Sequence, residues 1–381
     1  MIDLRRSALA LCSAFVFAPL AVAQAPAPAK DLAAIRTRTP TDADRRTIAQ
    51  WISERIEAAM KPSPDLAAFR GAFLAEIRAS GATEPFKQAL ADLSAEACAK
   101  LIGDPANSQG PGALVGGMLL GVLADMGRPS ALPAALEGLK SKADFVRERA
   151  ATCLLRIRDR IPAADMQRAF DALAAAAGKE LNGVVLGAMY KALYACGKPE
   201  DATKAVVAAL GARVAAYQKR DLRGCAGDIT ADELLAETFT ARRAQISAET
   251  LRLAVRRLAE LLTVAVLNYK ELSAVAGSAR EESRADLQRL ALLIDATERA
   301  LAKATNTDPQ KQSVSEQMKG PESGRLERMQ AALDRWIGTP QKPGVLSQTF
   351  NVPAGLPDIK LTATTAGSPT TRRSTAPAAR S

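Results

Sequence analysis

The sequence predicts an all-α chain: an α-solenoid of helical hairpins, then a long antiparallel helical hairpin, then a disordered C-terminal tail. Three observations predict it. The 381 residues are 48% hydrophobic and 24% charged, which suits a folded body, and aromatics are only 4% against abundant alanine; thin packing of small side chains favours helices over a sandwich or barrel. Apolar residues recur every three to four positions between helix-start and helix-stop residues almost throughout. One apolar helical face also returns three times at solenoid spacing.

The chain opens as a secretory signal, residues 1–23. Arg5 and Arg6 form a basic start, Ser7 to Leu20 an apolar run, and Ala21-Val22-Ala23 a small-x-small cleavage site, so cleavage is expected after Ala23. The run is short for about 30 Å of hydrocarbon, and no later segment reaches spanning length, so no transmembrane segment is expected in the mature chain. A periplasmic or secreted location follows. Residues 24–40 read as a linker.

Residues 41–220 form the expected solenoid. Thr41 caps a first helix whose stripe is Ile48, Trp51, Ile52, Ile56 and Ala59. Ser63-Pro64 opens a second, with Leu66, Phe69, Phe73 and Ile77 as its stripe. Phe86, Leu90, Leu93, Ala97 and Leu101 form a third, and Gly81, Gly103 and the loop over 105–112 separate them. Val115, Val146 and Val185 then start equivalent faces. Four residues on lie Leu119, Ala150 and Met189; eight on, Leu123, Leu154 and Leu193; eleven on, Met126, Ile157 and Cys196. The copies are separated by 31 and 39 residues, each followed by a turn and a further helical segment.

The middle copy, Ala131 to Leu139, a turn over Lys140 to Asp144, then Phe145 to Leu155 with its Val146-Arg147 pair, resembles a HEAT repeat. Its neighbours depart from the pattern, with Gly116 and Leu186 where Arg147 stands. The resemblance covers roughly 105–220. It implies a HEAT-like α-solenoid whose second helices line a concave binding surface, and it implies no reaction.

Residues 228–304 carry the long hairpin. Thr230 and Glu233 have the spacing of a capping box, with Ile229 and Leu234 as a staple, and Ser247 starts a further helix. Leu251, Val255, Leu258, Leu262, Ala265, Tyr269, Leu272 and Ala276 alternate steps of four and three, a heptad seam. Gly277 ends it, Ser278 and Glu281 make another box, and Leu287, Leu290, Ile294, Thr297, Leu301 and Ala304 return. Each arm spans about 40 Å at 1.5 Å per residue, and the pair is expected to pack on the solenoid rather than stand free. Residues 305–338 read as a loop and one short helix, Arg325 to Ile337. Residues 339–381 are rich in Pro, Thr, Ser and Ala and basic, with brief extended pieces expected at Val345–Val352 and Ile359–Thr364.

The chemistry is mostly bounded by what is missing. The chain has no histidine, which removes the commonest general base and most catalytic zinc sites. No glycine-rich phosphate loop or calcium-loop spacing is present, and Gly116, Gly117 and Gly121 read as close helix packing. Nothing calls for a cofactor or metal. Cys98, Cys153, Cys196 and Cys225 could pair as two disulfides, but three lie in apolar periodic positions and read as buried thiols. Asp92, Glu96, Asp228, Asp232 and Glu233 read as caps and solvated faces. Arg242, Arg243, Arg252, Arg256 and Arg257 have acidic neighbours and read as a solvated face, and without interleaved aromatics they argue against nucleic acid.

The sequence therefore favours an exported, non-enzymatic scaffold for a protein partner. A polyanion or envelope-surface binder, helped by the formal charge of +10, is the second reading, and a carboxylate, lysine or cysteine enzyme the third. The candidate concave-face binding residues are Arg147, Arg149 and Arg156 in one repeat and Lys191 in the next, with Tyr194 beside them.

Overall fold

The computed structural model describes residues 32–63, 65–275, 281–307, 313–356 and 358–361. The signal sequence, Pro64, the Gly277 stop, the Ser278 cap and the last twenty residues of the tail lie outside the described residues. The described chain is all-α, with one two-residue β-ladder. Its helices are α1 (Ala33–Arg36), α2 (Asp42–Ala59), α3 (Leu66–Arg78), α4 (Glu84–Gly103), α5 (Gly110–Met126), α6 (Leu132–Gly138), α7 (Asp144–Ile157) and α8 (Ala163–Ala177). They continue as α9 (Gly183–Cys196), α10 (Pro199–Gln218), α11 (Cys225–Ala241), α12 (Ala248–Val275), α13 (Glu281–Thr305), α14 (Val314–Lys319), α15 (Arg325–Ile337) and α16 (Val345–Phe350). Among the described residues, no helix is long and apolar enough to cross a membrane.

Helix starts follow the local chemistry. Thr41 and Asp44 form a reciprocal capping box on α2, satisfying amides that would otherwise lack partners. Asp65 caps α3, its carboxylate accepting from the Ala68 amide at 2.8 Å, so the start expected at Ser63-Pro64 falls a residue or two later. Asn182 caps α9, its side-chain oxygen accepting from the amides of Val184 and Val185. Thr230 lies inside α11, donating to the Ala226 carbonyl. The capping box expected at Thr230 and Glu233 is therefore absent, because the helix already begins at Cys225.

The repeated face builds the interior. Val115, Val146, Val185, Leu119, Ala150, Met189, Leu123, Leu154 and Leu193 are all buried. Successive helices α5, α7, α9, α11 and α13 pack side by side. Helices α2, α4, α6, α8, α10 and α12 contact one another in order, and each second-row helix from α4 to α12 also packs on its following neighbour. One close approach within the row α5 to α13 is set by glycine. A Cβ on Gly227 of α11 would stand 2.7 Å from the Gly183 carbonyl oxygen of α9, so only glycine lets the two backbones meet there.

Three segments depart from the sequence reading. Residues 33–36, placed in a linker, form α1, and Leu32 before it and Ile35 within it are buried. Helix α14 interrupts the stretch read as loop: Glu298, 1% exposed, accepts from the amides of Val314 and Ser315 and from Trp336 Nε1. The extended piece expected at Val345–Val352 is instead helix α16, with Leu346 buried, and Asn351 in a left-handed conformation ends it. Helix α12 buries more than its heptad seam. Ala254, Ala259, Leu261, Val264 and Val266 are also covered, because α10, α13, α15 and α16 surround it.

Candidate functional site

With Val146, Ala150, Leu154 and Ile157 turned inward, α7 presents Thr152 and Arg156 on its other side. Helix α9 likewise buries Val185, Leu186, Met189 and Leu193 and presents Val184, Ala188 and Lys191. These groups line a groove of about 600 Å³ that α11 completes with Ala226 and Thr230. Its floor is small and apolar: Gly183, Gly187, Ala188 and Ala226. Val184 is 69% exposed, the most exposed of the large apolar side chains described. A smaller opening of about 250 Å³ adjoins it across α5 and α7, sharing Thr152 and Arg156. Gly121 lines that opening and a Cβ there would touch nothing within 4 Å. Close packing thus accounts for Gly116, against Ile102, and Gly117, against Phe145, but not for Gly121.

The five candidate residues separate into four groups. Arg147 is fully engaged. Its Nε lies 2.6 Å from Glu180 Oε2, its Nη2 2.7 Å from Asp144 Oδ1, and its Nη1 donates to the carbonyls of Ser141 and Lys142. Burial pushes the Glu180 carboxyl up, but Arg147 and the amides of Asn182 and Leu181 hold it below its ordinary value. Arg147 therefore ties the turn before α7 to the turn before α9. Tyr194 faces α10, with its hydroxyl 3.2 Å from Thr203 Oγ1, and does not line the groove. Arg149 leans on its own helix, its guanidinium 5.2 Å from the Phe145 ring and its Nε 3.2 Å from Glu148. Arg156 and Lys191 are brought together. Both are exposed, both line the groove, and neither has an ion-pair or hydrogen-bond partner among the described residues.

Val184 was missed in the sequence, although a signal existed. The position before each repeat reference is apolar in all three copies, Leu114, Phe145 and Val184, and Leu114 is also exposed, at 43%. Asp228 and Asp232 were misread as caps or solvated carboxylates, and both are completely buried. Their spacing of four puts them on one side of α11. Asp228 Oδ2 accepts from Arg213 Nε at 3.1 Å and from the Tyr217 hydroxyl at 2.5 Å. Burial pushes the Asp228 carboxyl up to about 6, against the pull of Arg213 and Tyr217. Asp232 Oδ2 lies 2.5 Å from Thr297 Oγ1, whose hydroxyl also bonds the Leu293 carbonyl at 2.8 Å. Burial pushes the Asp232 carboxyl well above its ordinary value, against the pull of the Thr297 hydroxyl. This network is closed to solvent, and its chemistry is the joining of α10, α11 and α13.

Other reactive types are equally occupied. All four described cysteines are free thiols. Burial pushes Cys153 and Cys225 up to about 12 and Cys196 to about 11, which keeps them protonated and weakly nucleophilic. The basic run on α12 is partly paired, Arg256 and Arg257 both reaching Glu260, and Arg243 donates to the Ala304 carbonyl at the end of α13. Among the described residues no group of three His, Cys, Asp or Glu side chains could hold a metal ion. Comparison of the chain with protein-family models, curated proteins and solved structures finds no match.

Proposed function

We propose that this chain is an exported HEAT-like α-solenoid that serves as a protein-interaction scaffold, and that the outer side of α7, α9 and α11 is its docking face. The observation that carries the reading is the groove itself: two unpaired cations and one bare apolar side chain stand over a floor of glycine and alanine. Such a floor lets another backbone approach closely, and an apolar centre with a polar rim is the usual anatomy of a binding patch. The two rows of helices, each packed on its neighbours, support the solenoid reading, because stacked helical pairs expose one continuous helix face to partners. The apolar run and small-x-small site at the N-terminus support export.

The test is photo-crosslinking in an envelope extract, from a benzoylphenylalanine placed at Val184 and, as a control, at Leu253, exposed on α12. A discrete protein adduct is expected from position 184 and not from 253, and it should disappear when Arg156→Glu and Lys191→Glu are introduced together. Equal adducts from both positions, or adducts indifferent to the two charges, would refute the docking face.

A further inference from the structure

Resting on that docking face, we infer that its occupant is an acidic segment of a partner protein that seats an apolar side chain against Val184 and Leu181. The face extends beyond the groove already described. A second opening of about 560 Å³ adjoins it and shares Gly183, Val184 and Ala226 with it. The start of α7, the turns before α9 and α11, and Arg289 of α13 frame this second opening.

Charge decides the sign of the occupant. Every carboxylate that lines the two openings is already held by the chain. Glu148 pairs with Arg149, and Asp144 and Glu180 both pair with Arg147. The cations divide differently. Arg147 is held by those two acids, Arg158 by Asp159, Arg223 by Asp221 and Arg289 by Asp286. Lys179, Arg156 and Lys191 are exposed and have no ion-pair or hydrogen-bond partner among the described residues. The face therefore carries three unanswered positive charges and no unanswered negative one. An acidic occupant answers them without pressing on a free carboxylate, whereas a basic occupant meets only like charge.

Apolar surface decides the kind of occupant. Leu181, just before the Asn182 cap, and Val184, in the first turn of α9, are both exposed and both line the second opening, with half-buried Leu222 on the same lining. The Asn182 side chain accepts from the amides of Val184 and Val185, so the two apolar side chains flank a capped helix start rather than a loose loop. Val184 belongs to both openings, with Lys179 in one and Arg156 and Lys191 in the other. An apolar centre inside a basic rim is the result. A sulfated or phosphorylated polymer supplies charge but no side chain to take Val184 and Leu181 out of water; an acidic protein segment supplies both.

The test is fluorescence anisotropy with the full chain and three labelled peptides. Each is three repeats of one unit: Asp-Leu-Asp-Ala, Asp-Ser-Asp-Ala without the large apolar side chain, or Asn-Leu-Asn-Ala without the charge. The first is expected to bind about tenfold tighter than either of the others. Lys179→Glu, and Arg156→Glu with Lys191→Glu, should each weaken it about tenfold, and Arg252→Glu on α12 should leave it unchanged. Val184→Ser should weaken the leucine-containing acidic peptide and leave the serine-containing one where it was, which ties the leucine to that side chain. These positions are all exposed, so thermal melts of the variants should overlay that of the parent. Equal binding of the Asp-Leu and Asp-Ser peptides, with heparin displacing both and Val184→Ser changing neither, assigns the face to polyanions and overturns the inference. Equal binding of the Asp-Leu and Asn-Leu peptides removes the acidic requirement and overturns it as well. If none of the peptides binds while the adduct from position 184 persists, the docking face stands and the acidic, apolar occupant falls. If binding and adduct are both lost, the docking face falls too.

Discussion

The first and second halves of the row α5, α7, α9, α11 and α13 are joined by different means. From α5 to α9 the interior contacts are apolar and small, Gly117 under Phe145 and the buried stripes of three repeated faces, with the Arg147–Glu180 pair confined to the turns before α7 and α9. From α9 to α13 the same kind of side-by-side packing encloses Arg213, Tyr217, Asp228, Asp232 and Thr297, all 0–1% exposed. The comparison teaches that one stacking geometry tolerates either cement. The apolar half leaves a recognisable repeat in the sequence. The polar half does not, because its partners come from three helices at unrelated positions.

The comparison can be broken most forcefully at Asp228. Asp228→Ala strands the guanidinium of Arg213, which already has two nitrogens without hydrogen-bond partners. Leaving a buried charge unpaired costs about 3–5 kcal/mol, and urea denaturation should read that loss. A loss under about 1 kcal/mol would show that the polar half does not depend on its ion pair.

Next come two glycines with opposite expected signs. In Gly227→Ala the new Cβ would stand 2.5 Å from Leu186 Cβ and 2.7 Å from the Gly183 oxygen, so overpacking should destabilise by about 1–3 kcal/mol. Gly121→Ala meets nothing and should stabilise α5 by about 0.5–1 kcal/mol. Equal signs in thermal melts would contradict the packing described.

The pH dependence sharpens the contrast further. Between its ordinary value of 3.8 and about 6, Asp228 holds a proton in the folded state that the unfolded chain releases, so its contribution to stability falls as pH rises through that window. Asp232 acts in the same direction, and Asp232→Asn should flatten the decline. Glu200, in the first turn of α10, behaves oppositely. Lys204, Thr250 and Ser247 pull its carboxyl down to about 2, so its contribution is present above its ordinary 4.5 and lost as pH falls towards 2. Glu200→Gln should blunt only the acid side. Denaturation midpoints from pH 2 to 8 check all three slopes. The smallest effect belongs to the groove. Arg156→Glu and Lys191→Glu should each change stability by less than about 0.5 kcal/mol, which separates a binding role from a structural one.

The helical character was legible because caps and apolar periodicity are local. Thr41, the stripe from Leu326 to Ile337 and the three repeated faces needed no distant partner to be recognised. Asp228 and Asp232 were not legible, because an aspartate on a solvated face and one opposite a buried arginine look alike until α10 and α11 are docked. Helix α16 was hidden for a related reason: Val345 and Phe350 have low helix propensity, and α12 and α15 supply the surface that the helix packs on. Of the five binding candidates, the groove keeps Arg156 and Lys191, which stand on the exposed sides of neighbouring helices α7 and α9. Arg147 has the same charge but sits at the helix start, where Glu180 claims it.

The most direct measurement is the photo-crosslink from position 184 in an envelope extract. A discrete protein adduct at 184, lost when Arg156→Glu and Lys191→Glu are combined, with none from Leu253 on α12, is the result expected. Equal adducts from 184 and 253, or an adduct indifferent to both reversals, would contradict the docking face.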